Sequence, residues 1–240
     1  MKLFDLKRAL FICYFIFLGC QSRDVRPKGT GTEYYPLQLG IFWVYKVNET
    51  HITQVGGQTN QAYELKILVT DSIPSEGQTL YRLQRYTRPD SSQPWVSLDT
   101  WSTRKDQFQA VLQEGNIPYV KLAFPLVEAK TWNGNVLNTL GGKDKCVDGS
   151  ISCENYTVAK LSQPFQDNGV SFEDSVTIIE NNDDDPIVGK DVRKTVYAHS
   201  VGLIYREITT LEYCTIGSCI GKQIVENGTI LKQVLLDHGG

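Results

Sequence analysis

The sequence predicts an all-β domain in which one strongly curved antiparallel sheet forms an open or partly closed β-barrel, with a β-sandwich as the alternative. Apolar and polar residues alternate with period two in segments such as 62–70 and 79–86, as in strands that have one buried face. No long segment has helical periodicity. Around ten such segments follow one another at short spacing. Tight turns must therefore join antiparallel neighbours, and the sheet must curl to protect its edges.

The individual strands are predicted from alternation and from their content of aromatic and β-branched residues. Residues 39–47 are rich in both, residues 62–70 place Leu65 and Val69 on one face, and residues 79–86 place Leu83 and Arg85 on one face. The remaining predicted strands are 95–102, 108–113, 119–124, 156–161, 172–180, 194–199, 203–213 and 230–236. Gly, Pro, Asn and Asp separate them, and Asn227-Gly228 between two apolar runs predicts a tight hairpin turn.

Two segments share the pattern Pro-Leu-x-x-[Gly/Ala]-x-x-Trp, at residues 36–43 and 125–132. A true repeat would give two similar half-sheets, and chance similarity between two β-rich segments is the alternative. Their tryptophans, Trp43 and Trp132, are candidates for ligand-facing or core aromatics. Because tryptophan side chains are highly buried on average, packing in the core is favoured over a binding platform.

Residues 1–19 predict a lipoprotein signal peptide. Basic residues precede the uncharged segment 9–19, which is shorter than the roughly 20 residues of a membrane span and typical of a secretory signal. Phe17-Leu18-Gly19-Cys20 resembles the lipobox of bacterial lipoproteins, although Phe17 replaces the usual Leu. The resemblance implies cleavage before Cys20 and acylation of that cysteine, palmitate included, which would hold the protein on a membrane.

Residues 20–33 predict a lipidated flexible tether, and residues 34–240 a single β domain. The tether is polar and contains Pro27, Gly29 and Gly31, so it buries too little surface to offset the entropy of ordering. As a flexible coil it would reach on the order of 20 Å.

Three pieces of the chain, EYYPLQLGIFWVYKV, AFPLVEAKTWNG and HSVGLIYREI, are similar to segments of uncharacterised cell-envelope lipoproteins of Bacteroidota. The resemblance implies a β domain in the cell envelope and no assigned activity. We expect the outer membrane of a Gram-negative bacterium, with an outer-membrane protein as a candidate partner.

Four cysteines remain after the predicted cleavage and acylation, in two close pairs, Cys146 with Cys153 and Cys214 with Cys219. An even number of cysteines in an oxidising compartment indicates disulfides. Because each pair flanks turn residues, we expect the local bonds, and the two other connectivities remain alternatives. A zinc site of four thiolates would usually begin with Cys-x2-Cys, which neither pair has.

Evidence for catalysis or for a cofactor is weak in the sequence. The chain has 24 basic and 27 acidic residues without a basic stripe, so nucleic acid and anionic lipid are poor partners. His199 and Ser200 are adjacent, and adjacent strand residues point to opposite faces, so we expect the pair to be badly placed for nucleophile activation. Nothing in the sequence brings together a carboxylate pair for glycoside chemistry from Glu128, Glu173, Asp174 and Glu180.

Asp183, Asp184 and Asp185 form the densest acidic cluster. Acidic loop oxygens can bind Ca²⁺, but the spacing of an EF-hand is absent. A solvated hairpin tip is therefore favoured over a calcium site.

The sequence thus predicts an envelope lipoprotein that acts as a binding or scaffolding module. One alternative is a carrier that holds an apolar or amphiphilic ligand in the barrel. Others are an accessory subunit that docks through an exposed strand edge and a hydrolase of unrecognised class. An apolar concavity would favour the carrier, and clustered carboxylates an enzyme.

Overall fold

In the computed structural model, the chain forms one twelve-stranded antiparallel sheet that curls into a nearly closed barrel. The structure describes residues 29–75, 77–139, 155–167 and 169–240. Within these ranges the only helices are two 3-10 turns, Thr32–Tyr34 and Gly217–Cys219, and neither is long enough to cross a membrane. The predicted fold class is therefore confirmed.

The strands are numbered in chain order. They are β1 Phe42–Thr53, β2 Gly57–Ser75, β3 Gln78–Arg88, β4 Val96–Lys105, β5 Gln109–Glu114, β6 Ile117–Ala123, β7 Thr131–Asn133, β8 Asn155–Asp167, β9 Val170–Asp185, β10 Gly189–Ala198, β11 Gly202–Tyr213 and β12 Val225–Gly239. Each predicted segment lies largely within one of them. The strand that was not predicted is β7, whose three residues are too few to show alternation.

Pairing of β1 with β12 joins two six-stranded meanders, β1–β6 and β7–β12. The outer strands of the two meanders, β6 and β7, meet at a seam. There the Val120 N–H donates to the Gly134 carbonyl at 2.8 Å, and the Trp132 indole N–H donates to the Val120 carbonyl at 2.8 Å. These bonds satisfy part of the edge that an open sheet would leave unpaired.

The two Pro-Leu-x-x-[Gly/Ala]-x-x-Trp segments have the same backbone structure at the start of each meander. Gly40 and Ala129 both have left-handed φ values, 86° and 63°. The Gly40 N–H donates to the Val69 carbonyl at 3.0 Å, and the Ala129 N–H donates to the Val158 carbonyl at 2.8 Å. A β-bulge follows both valines. The similarity in sequence thus reflects an internal structural repeat of this turn and the strand pair beside it.

Residues 30–41, which we call the N-terminal plug, cover the end of the barrel where β1 begins. Glu33 accepts a hydrogen bond from the Ser200 N–H at 2.9 Å, Thr32 accepts one from Lys105 Nζ at 3.0 Å, and Tyr34 is buried. The predicted flexible tether is therefore wrong for residues 30–33. Backbone acceptors and a buried tyrosine hold them in place, which polar composition alone does not reveal. Residues 20–28 of the predicted tether lie outside the described residues.

The predicted turn at Asn227-Gly228 is also wrong, because both residues lie inside β12 and pair with β1 and β11. The reversal before β12 is made by residues 214–224. A Cβ on Gly228 would lie 2.6 Å from the Thr210 carbonyl oxygen. The glycine therefore permits close approach of two backbones rather than a turn.

The hairpin formed by β8 and β9 extends over the outer face of the sheet. Phe165 packs against Tyr205 with ring centroids 5.2 Å apart, and Asp167 pairs with Lys232 at 2.8 Å. Side chains alternate across a strand, so Arg206, next to Tyr205, points into the barrel. Tyr205 and Arg206 therefore lie on opposite faces of β11, one beneath this hairpin and the other in the interior.

Candidate functional site

A cavity of about 90 Å³ lies inside the barrel beneath the N-terminal plug. Most of its lining is apolar, supplied by leucines and by five aromatic side chains. These aromatic residues are Tyr35, Trp43, Tyr45, Trp101 and Tyr197. Four polar residues complete the lining: Arg85, Thr103, Arg206 and Gln233. The arrangement, an apolar wall with a few polar groups, is the usual composition of a small-molecule site.

The polar atoms of two of the aromatic residues are bonded to the protein. Trp43 Nε1 donates to the Val201 carbonyl at 2.6 Å, and the Tyr45 hydroxyl donates to the Leu203 carbonyl at 3.0 Å. Both acceptors lie at or just before the start of β11. Fixed in this way, the two rings present carbon surface to the cavity.

The three tyrosines of the cavity are neutral phenols. Burial raises the pKa of Tyr35, Tyr45 and Tyr197 well above the ordinary value, since a phenolate would lose its hydration. The Tyr35 hydroxyl lies 2.8 Å from Thr103 Oγ1. These residues can therefore pack and form hydrogen bonds, but they carry no charge near neutral pH.

Arg85 enters the cavity from β3 and is held by two neighbours. Its guanidinium carbon lies 3.7 Å from the centroid of the Trp101 ring, and Nη1 lies 2.9 Å from Asp99 Oδ2. Its Nε is buried and has no hydrogen-bond partner among the described residues. Burial lowers the pKa of Arg85, although the nearby Asp99 carboxylate opposes this effect.

Arg206 joins the cavity to a cluster of buried charges. Its Nη2 lies 3.3 Å from Glu114 Oε2, and its Nε is buried without a hydrogen-bond partner in the described part of the chain. Burial lowers the pKa of Arg206, but the carboxylates of Glu114 and Glu180 outweigh that effect and raise it. Arg206 is therefore a permanent cation.

Glu114, Lys121, Glu180 and Arg206 form what we call the interior charge cluster. The Lys121 ammonium lies 2.8 Å from Glu114 Oε1 and 3.5 Å from Glu180 Oε1. Thr195 Oγ1 donates to Glu180 at 3.2 Å. Lys121 and Glu180 have side chains only 4% and 3% exposed. Charges buried this deeply require such pairing, because an isolated one would be strongly destabilising.

The interior charge cluster borders a second space of about 210 Å³. Burial alone would raise the pKa of Glu114, but Arg206 and Lys121 lower it to about 2. A general acid needs a pKa raised towards neutrality. Glu114 is therefore suited to holding charge in place rather than to donating a proton.

The two tryptophans singled out from the sequence have different surroundings. Trp43 is both core and cavity lining, 7% exposed. Trp132 packs against Tyr156 at the seam, with centroids 6.0 Å apart, and is not among the residues that line the cavity. Of the pair, Trp43 is placed where a bound molecule would touch it.

The predicted Cys214–Cys219 disulfide is present, with Cα atoms 5.8 Å apart, and it closes the loop between β11 and β12. Cys20, Cys146 and Cys153 lie outside the described residues. Lipidation and the other disulfide therefore stay predictions.

The acidic cluster lies at the exposed tip of the β9–β10 hairpin, as the sequence favours. Asp185 accepts hydrogen bonds from the Ile187 and Val188 N–H groups, at 2.7 and 3.1 Å, and Asp184 pairs with Lys190. Asp183 is exposed. Among the described residues, no three His, Cys, Asp or Glu side chains are arranged to hold a metal ion.

The premise that His199 and Ser200 lie on a strand and point to opposite faces is wrong. They lie in the turn after β10, not on a strand, and Ser200 Oγ is 3.0 Å from His199 Nδ1. Ser200 has a left-handed φ of 60°, which brings the two side chains to the same side. Both side chains are exposed. Neither residue lines the aromatic cavity or the space beside the interior charge cluster.

The four carboxylates considered for catalysis are dispersed. Glu180 belongs to the interior charge cluster, whereas the Asp174 carboxylate accepts a hydrogen bond from Tyr34 near the plug. Glu128 and Glu173 are exposed. Sequence reasoning did not bring Glu180 together with Glu114, although both pair with Lys121. One signal of a polar interior was available, because Arg85 is a cation on the apolar face of a predicted strand.

Comparison with known proteins finds distant likeness in structure. One solved structure is assigned as an exported protein with a YmcC-like fold from Bacteroides fragilis NCTC 9343. It is 10% identical, with a TM-score of 0.42, over 86% of this chain and 98% of that one. Another is assigned as a lipoprotein from Parabacteroides distasonis ATCC 8503, with the same identity and coverage and a TM-score of 0.36. At these TM-scores the likeness supports no inference about function. No family model and no curated protein matches the sequence.

Proposed function

We propose that this protein is a lipid-anchored envelope protein that binds a small ligand by enclosing its apolar part within the barrel. The aromatic cavity beneath the N-terminal plug is the observation that carries the proposal. Apolar lining with a few fixed polar groups favours binding over scaffolding. Residues 1–20 provide the support for export and anchoring, and the Cys214–Cys219 disulfide is typical of an oxidising compartment.

The size of the cavity limits what it encloses. An engineered protein cavity of about 150 Å³ binds benzene, whereas this one measures about 90 Å³. The proposed ligand therefore inserts a compact group of a few heavy atoms, or the end of a longer amphiphile.

The binding proposal can be tested with isobutane, an apolar probe small enough for a cavity of this size, and NMR detection of the Trp43 indole N–H. We expect a saturable shift of this signal, because the indole bonds Val201 at the cavity wall. Leu112→Phe, which adds volume to the lining, should abolish binding. Leu98→Phe, on an exposed position of β4, is the matched control. A wild-type protein with no saturable shift would overturn the proposal.

Anchoring is tested separately by metabolic labelling with a palmitate analogue. The proposal expects label on the wild-type protein and none on Cys20→Ala, whose domain should remain soluble in the envelope. Equal labelling of both proteins would refute lipid attachment at Cys20 and leave the binding proposal untouched.

Docking through a strand edge is disfavoured by the geometry of β8. This strand pairs with β7 over only three residue pairs. Its register with β9 is interrupted by three bulges, and it contains Pro164. Bulges and proline are features that prevent a strand edge from accepting another strand.

A further inference from the structure

We infer that the ligand presents an uncharged hydrogen-bond acceptor, such as a carbonyl, to Arg85 and Arg206 inside the cavity. This inference rests on the proposed function, which it deepens by naming the polar part of the ligand. Three features of the cavity wall support it: two unused donors, a balance of charge and a buried amide.

The unused donors are the Nε atoms of the two arginines. One terminal nitrogen of each arginine is engaged, since Arg85 Nη1 pairs with Asp99 at 2.9 Å and Arg206 Nη2 with Glu114 at 3.3 Å. The Nε atoms of both are buried and have no acceptor among the described residues. Leaving a buried donor unpaired is costly. An acceptor that reaches either atom would recover this cost on binding.

The balance of charge decides between a neutral acceptor and an anion. The cations Arg85, Lys121 and Arg206 face three carboxylates within ion-pair distance. These carboxylates are Asp99, Glu114 and Glu180. Nearby, Arg193 pairs with Asp191 at 2.7 Å. A ligand carboxylate would thus be an uncompensated buried charge, which is strongly unfavourable. A carbonyl oxygen accepts the same hydrogen bonds without adding charge.

The buried amide in the cavity wall also favours a neutral partner. Gln233 is 5% exposed and lines the same cavity as the two arginines. An amide offers both a donor and an acceptor and carries no charge to attract an ion. Around the polar part of the ligand, the cavity wall therefore presents dipoles and bonded ion pairs rather than a free counter-ion.

The experiment compares acetone with isobutane, which has the same number of heavy atoms but no acceptor. In Arg85→Met we expect acetone to bind about tenfold more weakly, because its acceptor loses Nε, and isobutane to bind within about twofold of wild type. The retained binding of isobutane also shows that the cavity is intact. Should Arg85→Met fail to fold, Arg85→Lys keeps a cation beside Asp99 but has no donor at the Nε position, and the same loss is expected.

Arg88→Met provides a matched control. Arg88 also stacks on a tryptophan, Trp95, at 4.1 Å and pairs with Glu64 at 2.6 Å, yet it does not line the cavity. We expect it to bind both probes like wild type.

Two results would overturn the inference. One is an equal effect of Arg85→Met on both probes. The other is acetate binding to the wild type more tightly than acetone, which would identify an anion as the ligand. If none of the three probes binds the wild type, the proposed function itself fails, so the two failures are distinguishable.

Discussion

Replacing Glu114 with glutamine should remove the part of the barrel's acid sensitivity that comes from this carboxyl group. The two cations beside Glu114 lower its pKa from an ordinary value of 4.5 to about 2. That difference corresponds to roughly 3 kcal/mol of folding free energy. A depressed pKa in the folded state stabilises the protein above the unfolded value. The contribution is therefore complete above about pH 5 and is lost as the pH falls through 4.5 towards 2, with about 2 kcal/mol gone by pH 3.

The assay is urea unfolding of the wild type and Glu114→Gln at several pH values from 7 to 3. At pH 7 the variant leaves Lys121 and Arg206 short of a carboxylate, which should cost about 3–5 kcal/mol. By pH 3 the difference between the two proteins should shrink by about 2 kcal/mol. Glu128→Gln, at an exposed position, should follow the wild type throughout. A difference between Glu114→Gln and wild type that is the same at pH 7 and pH 3 would refute the reasoning.

Three further predictions concern the frame around the site. Replacing Cys214 and Cys219 together with serine should lower the free energy of unfolding by about 2 kcal/mol in urea, since the closed loop is short; no loss would mean the bond does not constrain the unfolded chain. Gly228→Ala should cost at least about 1–3 kcal/mol in the same assay, because its Cβ would lie 2.6 Å from a β11 carbonyl oxygen, and a neutral effect would contradict the close approach. Thiol titration of the unreduced mature protein in denaturant should detect no free thiol, as expected if Cys146 and Cys153 are also bonded, whereas two free thiols would exclude that bond.

Alternation predicted most of the sheet because it depends only on which face of a strand is buried. The same property explains where prediction failed. The Asn227-Gly228 pair has the composition of a turn, but its meaning depends on how closely β11 passes Gly228. The end of the tether depends on donors offered by Lys105 and Ser200, which are remote in sequence.

The candidate site could be predicted only in part from the sequence, for a related reason. Arg85 is a cation on the apolar face shared with Leu83, a pattern that indicates a polar group in the interior but does not identify its partners. Lys121 was hidden, because it is the extra residue of a bulge: Ala110 pairs with Leu122 and the next residue pairs with Val120. A bulge shifts the alternation by one residue, so no period-two pattern places Lys121 in the interior. Its partners follow from three-dimensional closure of the barrel.

The interior charge cluster is where the two meanders of the barrel are joined. Glu114 and Lys121 belong to the first meander, whereas Glu180 and Arg206 belong to the second. The pairs Lys121–Glu180 and Arg206–Glu114 cross between them, at 3.5 and 3.3 Å. The cavity is built in the same way, with Arg85 from one half and Arg206 from the other. A repeat alone would supply two similar sheets, and it is these cross-pairs of buried charge that make one enclosed interior from them. Glu114→Gln therefore perturbs the junction of the halves as well as a single carboxylate, and its effect on stability should be accompanied by weaker binding of the probes.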